Sequence, residues 1–242
     1  MPLFLLRSII LISLCCLPQA IFAAQLRVLV LDGDQMPWMQ VEKGKLNAGL
    51  YADLGVALAQ KMRRKVSFTI LPRKRLALAL EKGSADLICN YIPAWMPGAF
   101  DWSVGFIPNT ELLISAQSAN KPDSLAEFAH VRIGTVLGYA YLELDQILGK
   151  YFLRDDAPTM HNNLLKLAAG RIQHLVINQF ELEYQQRLGL FKTPLHPYTV
   201  LRAYKGQCAV SRVGQVSVAE VNRAIALLQS SHELAQIMGK YR

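Results

Sequence analysis

Five aromatic residues, Trp38, Tyr91, Trp95, Tyr139 and Tyr141, fall on predicted loops beside apolar runs, where a ring can stack on a solute and offer it a hydroxyl or indole donor. Two amides, Asn90 and Asn178, stand at similar places and can donate and accept hydrogen bonds without requiring a charged partner. Arg75 supplies a cation at the head of a predicted helix. Each residue also has a plain structural use: the rings as packing, Asn178 as the cap of the next helix, and Arg75 as one solvated charge of the cluster Arg73-Lys74-Arg75. Taken together they describe the gripping of a small molecule rather than the breaking of a bond.

Motifs for covalent, metal or cofactor chemistry do not stand out. His130, His161, His174, His196 and His232 show no H-x-H or H-E-x-x-H spacing, and Cys89 and Cys208 are not a C-x-x-C pair, so no metal site is expected. Asp101-Trp102-Ser103-Val104-Gly105 lacks the first glycine of G-x-S-x-G. Neither G-x-x-x-x-G-K-[ST] nor G-x-G-x-x-G occurs, which argues against nucleotide binding, and no cofactor is expected.

These candidates need elements to hold them. Residues 26–31 are a short apolar run ending in Asp32-Gly33-Asp34, the pattern of a buried strand passing into a loop. The spacing predicts a helix over 52–64, with Leu54, Ala57, Leu58 and Met62 on one face and Lys61, Arg63, Arg64 and Lys65 at its C-terminal end. A strand over 66–71, a helix over 75–82 stopped by Gly83, and a strand over 85–89 follow. The same grammar returns as a strand over 131–136, helices over 141–151 and 161–169, a stop at Gly170 and a strand over 172–177. Helical pieces over 218–228 and 234–240 close the chain. Strands alternating with helices imply parallel sheets covered on both faces. The internal likeness implies two similar α/β lobes, with ligand expected where their strand ends face each other.

Composition narrows the class. The 242 residues are 52% hydrophobic and 18% charged, which excludes a disordered, collagenous or disulfide-scaffold chain. The formal charge of +8 would suit a nucleic-acid binder. The amino terminus argues otherwise: Arg7, the apolar run Ile9 to Leu17, Pro18 and the small-residue end Ala20-Ile21-Phe22-Ala23-Ala24 read as a secretory signal peptide, cut after Ala23 or Ala24. Removing residues 1–23 takes away Arg7, Cys15 and Cys16, so the charge goes from +8 to +7 and Cys89 and Cys208 remain. Export argues against a nucleic-acid partner and permits a disulfide.

The ordered motifs resemble those of the family 3 solute-binding proteins, the periplasmic receptors of polar amino-acid ABC importers. Gly49-Leu50-Tyr51-Ala52-Asp53-Leu54 is similar to the family's G-x-x-x-D-L, and Leu71-Pro72-Arg73-Lys74-Arg75-Leu76-Ala77 to the P-x-x-R-A segment of divergent members. Leu80-Glu81-Lys82-Gly83-Ser84-Ala85-Asp86 resembles L-x-x-G-x-x-D, and Asp101-Trp102-Ser103 sits where the family has F-S. Residues 131–141, Ala169-Gly170-Arg171-Ile172 and the terminal Ile237-Met238-Gly239-Lys240-Tyr241 complete the series.

The resemblance implies an α/β, two-lobed periplasmic-binding-protein-like fold of type II, each lobe a mostly parallel sheet flanked by helices, with two hinge crossovers. Lobe 1 would comprise 25–112 plus 203–242, and lobe 2 113–202. It further implies a monomeric receptor that clasps a small polar or aromatic solute, such as an amino-acid derivative, and delivers it to the membrane permease of an ABC importer. The alternatives are a ligand sensor in signalling, and a periplasmic enzyme on the same fold, such as a dehydratase, using Glu111, Glu143 or Glu181 as acid or base. On that topology Gln207 to Ser211 is the returning strand beside the strand carrying Cys89, so Cys89 and Cys208 either pair or remain two small buried thiols. Family members that bind free amino acids hold the carboxylate with an Arg and the ammonium with an Asp. Those positions fall here on Gly98 and Asn178, and the family's Thr or Ser after the lobe 2 glycine is Tyr139. The resemblance therefore implies an aromatic-lined, weakly charged cleft with Arg75 as replacement cation, and a ligand other than a simple zwitterionic amino acid.

Overall fold

Strand β1 (Gln25–Leu31) buries Leu26, Val28, Leu29, Val30 and Leu31, and such burial on both faces is what a strand inside a covered parallel sheet requires. The computed structural model describes residues 24–120 and 122–242; the signal peptide expected over 1–23 lies outside the described residues. After β1 come β2 (Gln40–Glu42), β3 (Lys45–Ala48), α1 (Leu50–Lys61), β4 (Lys65–Leu71), α2 (Arg73–Glu81), β5 (Leu87–Tyr91), β6 (Phe100–Trp102) and β7 (Ile107–Ser115). The chain continues through β8 (Arg132–Val136), α3 (Leu142–Leu148), β9 (Leu153–Ala157), α4 (Met160–Ala168), β10 (His174–Asn178), α5 (Gln179–Arg187), β11 (Thr199–Ser211), α6 (Val218–Ser230) and α7 (Glu233–Gly239).

The sheet runs β4-β1-β5-β11-β7-β10-β8-β9, with β6 also beside β11. At one end β4, β1 and β5 are parallel; at the other, β10, β8 and β9 are parallel. Between them lie two long antiparallel strands. The first half of β11 pairs with β7 and its second half with β5, with a register shift at Gln207 and Cys208. Strands β7 and β11 therefore carry the chain between two lobes. Lobe 1 packs Leu26, Leu58 and Ile225 on one face of its sheet and Leu29, Leu76 and Leu80 on the other. Lobe 2 does the same with Ile114, Leu164 and Leu175, and with Leu113, Ile133 and Leu144. Phe180 and Tyr184, from α5 of lobe 2, pack into the lobe 1 core, so the two lobes are in contact.

Two local features fix the ends of elements that border the cleft. Gly83 follows α2 at φ 64, and a Cβ there would lie 2.7 Å from the carbonyl oxygen of Val213, so a side chain meets both backbone strain and backbone contact. Three residues on, Asp86 has no exposed surface; its oxygens accept from the backbone N–H groups of Arg27 and Gln215 and from the Arg27 guanidinium. Burial opposes its ionisation, but those hydrogen bonds outweigh it and hold the carboxyl below its ordinary value. Cys89 and Cys208 face each other directly across β5 and β11 and form a disulfide. Of the two alternatives left open by topology, pairing is the one observed.

Differences from the predicted boundaries are small and have local causes. The helix predicted over 141–151 stops at Leu148, because Gly149 leaves helical backbone at φ 52 and ψ −128 and a short 3-10 turn follows. Helix α2 starts at Arg73 rather than Arg75, with Pro72 in front of it as a residue that cannot donate into the turn before it. Strand β5 runs two residues past Cys89, to Tyr91.

Candidate ligand-binding cleft

The carboxyl ends of β1 and β5 in lobe 1 face those of β8 and β10 in lobe 2, and the space between them is a cavity of about 230 Å³. That is the volume of roughly eight liquid waters, the scale of a small metabolite. Lobe 1 contributes Asp34 and Trp38 from the loop after β1, Tyr51 from the first turn of α1, Arg73 from the start of α2, and Asn90, Tyr91 and Trp95 from the end of β5 and the turn beyond it. Lobe 2 contributes Tyr139 and Tyr141 after β8, and Asn178 and Glu181 at the junction of β10 and α5. Glu111 and Tyr204 reach in from the two crossing strands.

Seven of the eight residues singled out in the sequence line this cavity: Trp38, Asn90, Tyr91, Trp95, Tyr139, Tyr141 and Asn178. Arg75 does not. It is exposed on α2, and its place on the wall is taken by Arg73. Residues two apart on a helix point to nearly opposite sides, so starting α2 at Arg73, with Leu76, Ala79 and Leu80 buried, turns Arg75 to solvent. The Arg73 guanidinium lies 4.2 Å from the centre of the Tyr139 ring, a cation–π contact that joins the lobes.

A polar chain runs across the cavity wall. Asn178 Nδ2 donates to Asn109 Oδ1 at 3.0 Å, Asn109 Nδ2 donates to Asn90 Oδ1 at 2.8 Å, and Asn90 Nδ2 reaches the Tyr51 hydroxyl at 3.4 Å. Asn178 Oδ1 also accepts from the Phe180 N–H, so this residue both caps α5 and lines the cavity. Asn90 sits at φ 66, a left-handed conformation that Asn tolerates better than most residues. Gly206 passes close beside it: a Cβ there would lie 2.5 Å from Asn90 Oδ1. The Tyr141 hydroxyl accepts from the Val136 N–H at 2.7 Å, which ties that ring to its own lobe.

The cleft is lined by aromatic rings and also by titratable side chains. Asp34, Glu111 and Glu181 line it together with Arg73. Burial pushes the Asp34 carboxyl up to about 6, against the opposing pull of hydrogen bonds from Tyr139 and Tyr51 and of the Arg73 charge. Burial raises Glu181 to about 8, although Trp38 Nε1 donates to it at 3.1 Å. Glu111 is raised by burial to about 7 while paired at 3.1 Å with Arg202, which also meets Glu143 at 3.3 Å. The Tyr139 to Asp34 and Trp38 to Glu181 hydrogen bonds both join one lobe to the other. Sequence reasoning left Asp34 in a loop and could not place Glu181 or Glu111. Tyr51 and Arg73 stood inside quoted motifs, but no spacing marked them as cavity residues.

Among the described residues, no group of three or more His, Cys, Asp or Glu side chains could hold a metal ion, and no helix is long and apolar enough to cross a membrane. No protein-family model matches the sequence, and no curated protein matches it. Solved structures do. An ancestral arginine-binding protein bound to arginine superposes with a TM-score of 0.74 at 18% identity, covering 91% of this chain and 99% of that one. The ancestral amino-acid-binding protein AncCDT-1, a precursor of cyclohexadienyl dehydratase, gives 0.72 at 17% identity over 90% and 95%. AbpA, an amino acid ABC transporter substrate-binding protein of Streptococcus pneumoniae bound to L-arginine, gives 0.70 at 16% identity over 90% and 94%.

The chain has the two-lobed periplasmic-binding-protein fold. Within it, Gly98 does not line the cavity, and a Cβ at that position would lie 2.3 Å from the Phe100 ring, so no longer side chain fits there without rearrangement. At Asn178 the amide does what a carboxylate cannot, donating to Asn109 while capping α5.

Proposed function

We propose that this protein is a solute-binding receptor that closes its two lobes on a small polar solute and delivers it to the membrane permease of an ABC importer. The observation that carries the reading is the cavity itself, lying between the strand ends of the two lobes and bridged by Tyr139 to Asp34 and by Trp38 to Glu181. A ligand touching both walls favours the closed arrangement over the open one, and closure is the signal such a receptor passes on. The binding residues in this reading are Trp38, Asn90, Tyr91, Trp95, Tyr139, Tyr141 and Asn178, joined by Arg73 in place of Arg75. The lobes are 25–112 plus 203–242 and 113–202, and the mature monomer works in the periplasm after residues 1–23 are removed.

Carboxylates outnumber cations on the cavity wall, although the whole chain carries +8. That contrast supports a solute with a cationic group directed at Asp34 and Glu181. Arginine, which occupies two of the similar structures, is one such solute. The test is a thermal-shift screen of protein unfolded and refolded to strip endogenous ligand, run against amino acids, opines, aromatic acids and polyamines. At least one solute should raise the melting temperature and, in small-angle scattering, shrink the radius of gyration. A flat response across the panel would remove the reading.

One observation favours a second reading, an enzyme on the same fold. Glu111 and Glu181 are held near 7 and 8, where a carboxyl can exchange protons at neutral pH. Incubating each screening hit with the protein and following it by NMR separates the two: a receptor returns the solute unchanged.

A further inference from the structure

We infer that Arg202 is a hinge latch: its guanidinium holds Trp95 of lobe 1 and Glu143 of lobe 2 at once, and so sets how readily the cleft stays closed. The inference rests on the reading that the lobes open and close, and adds to it a positioning residue that governs closure without touching the solute. Arg202 does not line the cavity, but Trp95, Tyr204 and Glu111, which it contacts, do.

The chain puts Arg202 at the pivot. It stands on β11, one of the two strands that cross between the lobes, directly opposite Glu111 on β7, the other. The register shifts between Val200 and Arg202, so Leu201 is left without a partner in the ladder and packs on the lobe 2 core. Tyr204, two residues further on, shares the face of Arg202. The guanidinium lies 5.1 Å from the centre of the Trp95 ring and 4.7 Å from that of Tyr204, while Nε donates to Glu111 at 3.1 Å and Nη1 meets Glu143 at 3.3 Å. The side chains of Arg202 and Glu111 are each 14% exposed, so salt and water screen their contact little.

Trp95 lies in the turn after β5 in lobe 1, and Glu143 on α3 in lobe 2. A cation–π contact reaches to about 6 Å, so a relative movement of about 1 Å ends the one with Trp95 while Arg202 stays with Glu143. Parting the lobes therefore breaks the bridge. The bridge is also releasable: Arg202 Nη2 and Glu143 Oε2 are buried without a hydrogen-bond partner, and water can supply one once the lobes part. Contacts favour closure and hydration favours opening. Apparent affinity scales with the populated fraction of the binding-competent state, so a residue that shifts this fraction tunes affinity from outside the cavity.

The test measures lobe separation in ligand-stripped protein by double electron–electron resonance, with spin labels on Lys74→Cys in α2 and Gln146→Cys in α3, both exposed positions, and with the Cys89–Cys208 disulfide left intact. Arg202→Gln should lower the ratio of closed to open molecules by about fivefold or more. Arg202→Lys, which keeps the charge but not the planar fork, should recover part of that loss. Glu143→Gln, a nearly isosteric change on a partly exposed side chain, carries the test even where Arg202→Gln does not fold. Glu143→Gln and Trp95→Leu break the same bridge from opposite ends, so together they should shift the ratio no further than the stronger of the two alone, whereas independent packing roles would add. An unchanged distribution in Glu143→Gln and in any folded Arg202→Gln, or additive shifts in the pair, overturns the latch. If the distribution ignores these variants while solutes raise the melting temperature, the latch fails and the receptor reading stands. If the variants open the lobes but no solute stabilises the protein, the receptor reading fails alone.

Discussion

The hydroxyl of Tyr139 in lobe 2 donates a 2.8 Å hydrogen bond to Asp34 in lobe 1, across a sequence separation of 105 residues. This bond exists only while the lobes are together. Its donor's ring lies under Arg73, so the contact ties the loop after β1 and the start of α2 in lobe 1 to one loop of lobe 2. A hydrogen bond to an ionised group contributes about 1.5–3 kcal/mol. Tyr139→Phe keeps the ring for Arg73 and removes only the hydroxyl. It should weaken binding of the best solute from the screen by about tenfold or more in isothermal titration calorimetry, since 1.4 kcal/mol is a factor of ten. Unchanged affinity would show that the bond is not part of closure.

The carboxyls of the cleft set the pH dependence of the unliganded protein. Asp34, Glu111 and Glu181 have folded-state values near 6, 7 and 8, all above those of the free side chains. The folded protein therefore binds more protons than the unfolded chain between about pH 4 and 8, and stability falls as pH rises through that window. Asp86 and Asp156 are shifted downward, so their contribution is complete above about pH 4 and does not alter the slope. His174, lowered by burial, works in the opposite sense, but it is one group against three. The melting temperature should drop between pH 5 and pH 8, and Glu181→Gln should flatten the curve. A melting temperature that climbs over this range would contradict the assignment. A cationic solute binding beside these carboxylates should also release protons, visible as a buffer-dependent heat in calorimetry.

The Cys89–Cys208 disulfide closes a loop with a sequence separation of 119 residues, running from β5 out through lobe 2 and back along β11. A crosslink over so long a loop restricts the unfolded chain strongly, and losing one typically costs about 2–4 kcal/mol. Urea unfolding of the double variant Cys89→Ala, Cys208→Ala should show a lower midpoint by that amount of free energy. Because Asn90 follows Cys89 directly, the same variant should also show faster amide exchange along the end of β5. Equal midpoints with and without the crosslink would remove its structural role.

How far the sequence revealed this molecule depends on the range of the interaction. Helix stops such as Gly83 and Gly170 and the buried runs of β1 and β8 are local signals, and they placed the elements to within a few residues. The disulfide was reachable only through topology, because nothing near Cys89 or Cys208 announces a partner. The exchange of Arg75 for Arg73 came from a helix start misplaced by two residues, enough to turn a side chain through about half a circle. Asp34 was not singled out, and Glu181, named only as a possible acid or base, had no placement, for a different reason: Asp34 sits in a polar loop and Glu181 in the first turn of a helix, where carboxylates are ordinary. Only the arrangement of the two lobes in the fold brings them against Tyr139 and Trp38. The aromatic residues were legible because large rings next to strand ends are costly to leave in water.

The close passage of β11 over Asn90 gives a last test of the polar chain along the wall. At Gly206 there is no Cβ, and one placed there would meet Asn90 Oδ1 at 2.5 Å, Asn90 Cα at 3.0 Å and Asn109 Nδ2 at 3.2 Å. Gly206 is on an extended strand, so alanine meets no backbone strain; its cost is the displacement of those two amides. Overpacking of this kind costs about 1–3 kcal/mol. Moving Asn90 also pulls its Oδ1 from Asn109, and Asn109 in turn from Asn178, so the change is felt in both lobes. Gly206→Ala should therefore lower the melting temperature and weaken solute binding together. The amide resonances of Asn90, Asn109 and Asn178 should shift as a group, while those of Thr135 and Asp156, hydrogen-bonded to each other elsewhere in lobe 2, stay in place. A shift confined to Asn90 would show that the three amides do not act as one connected chain.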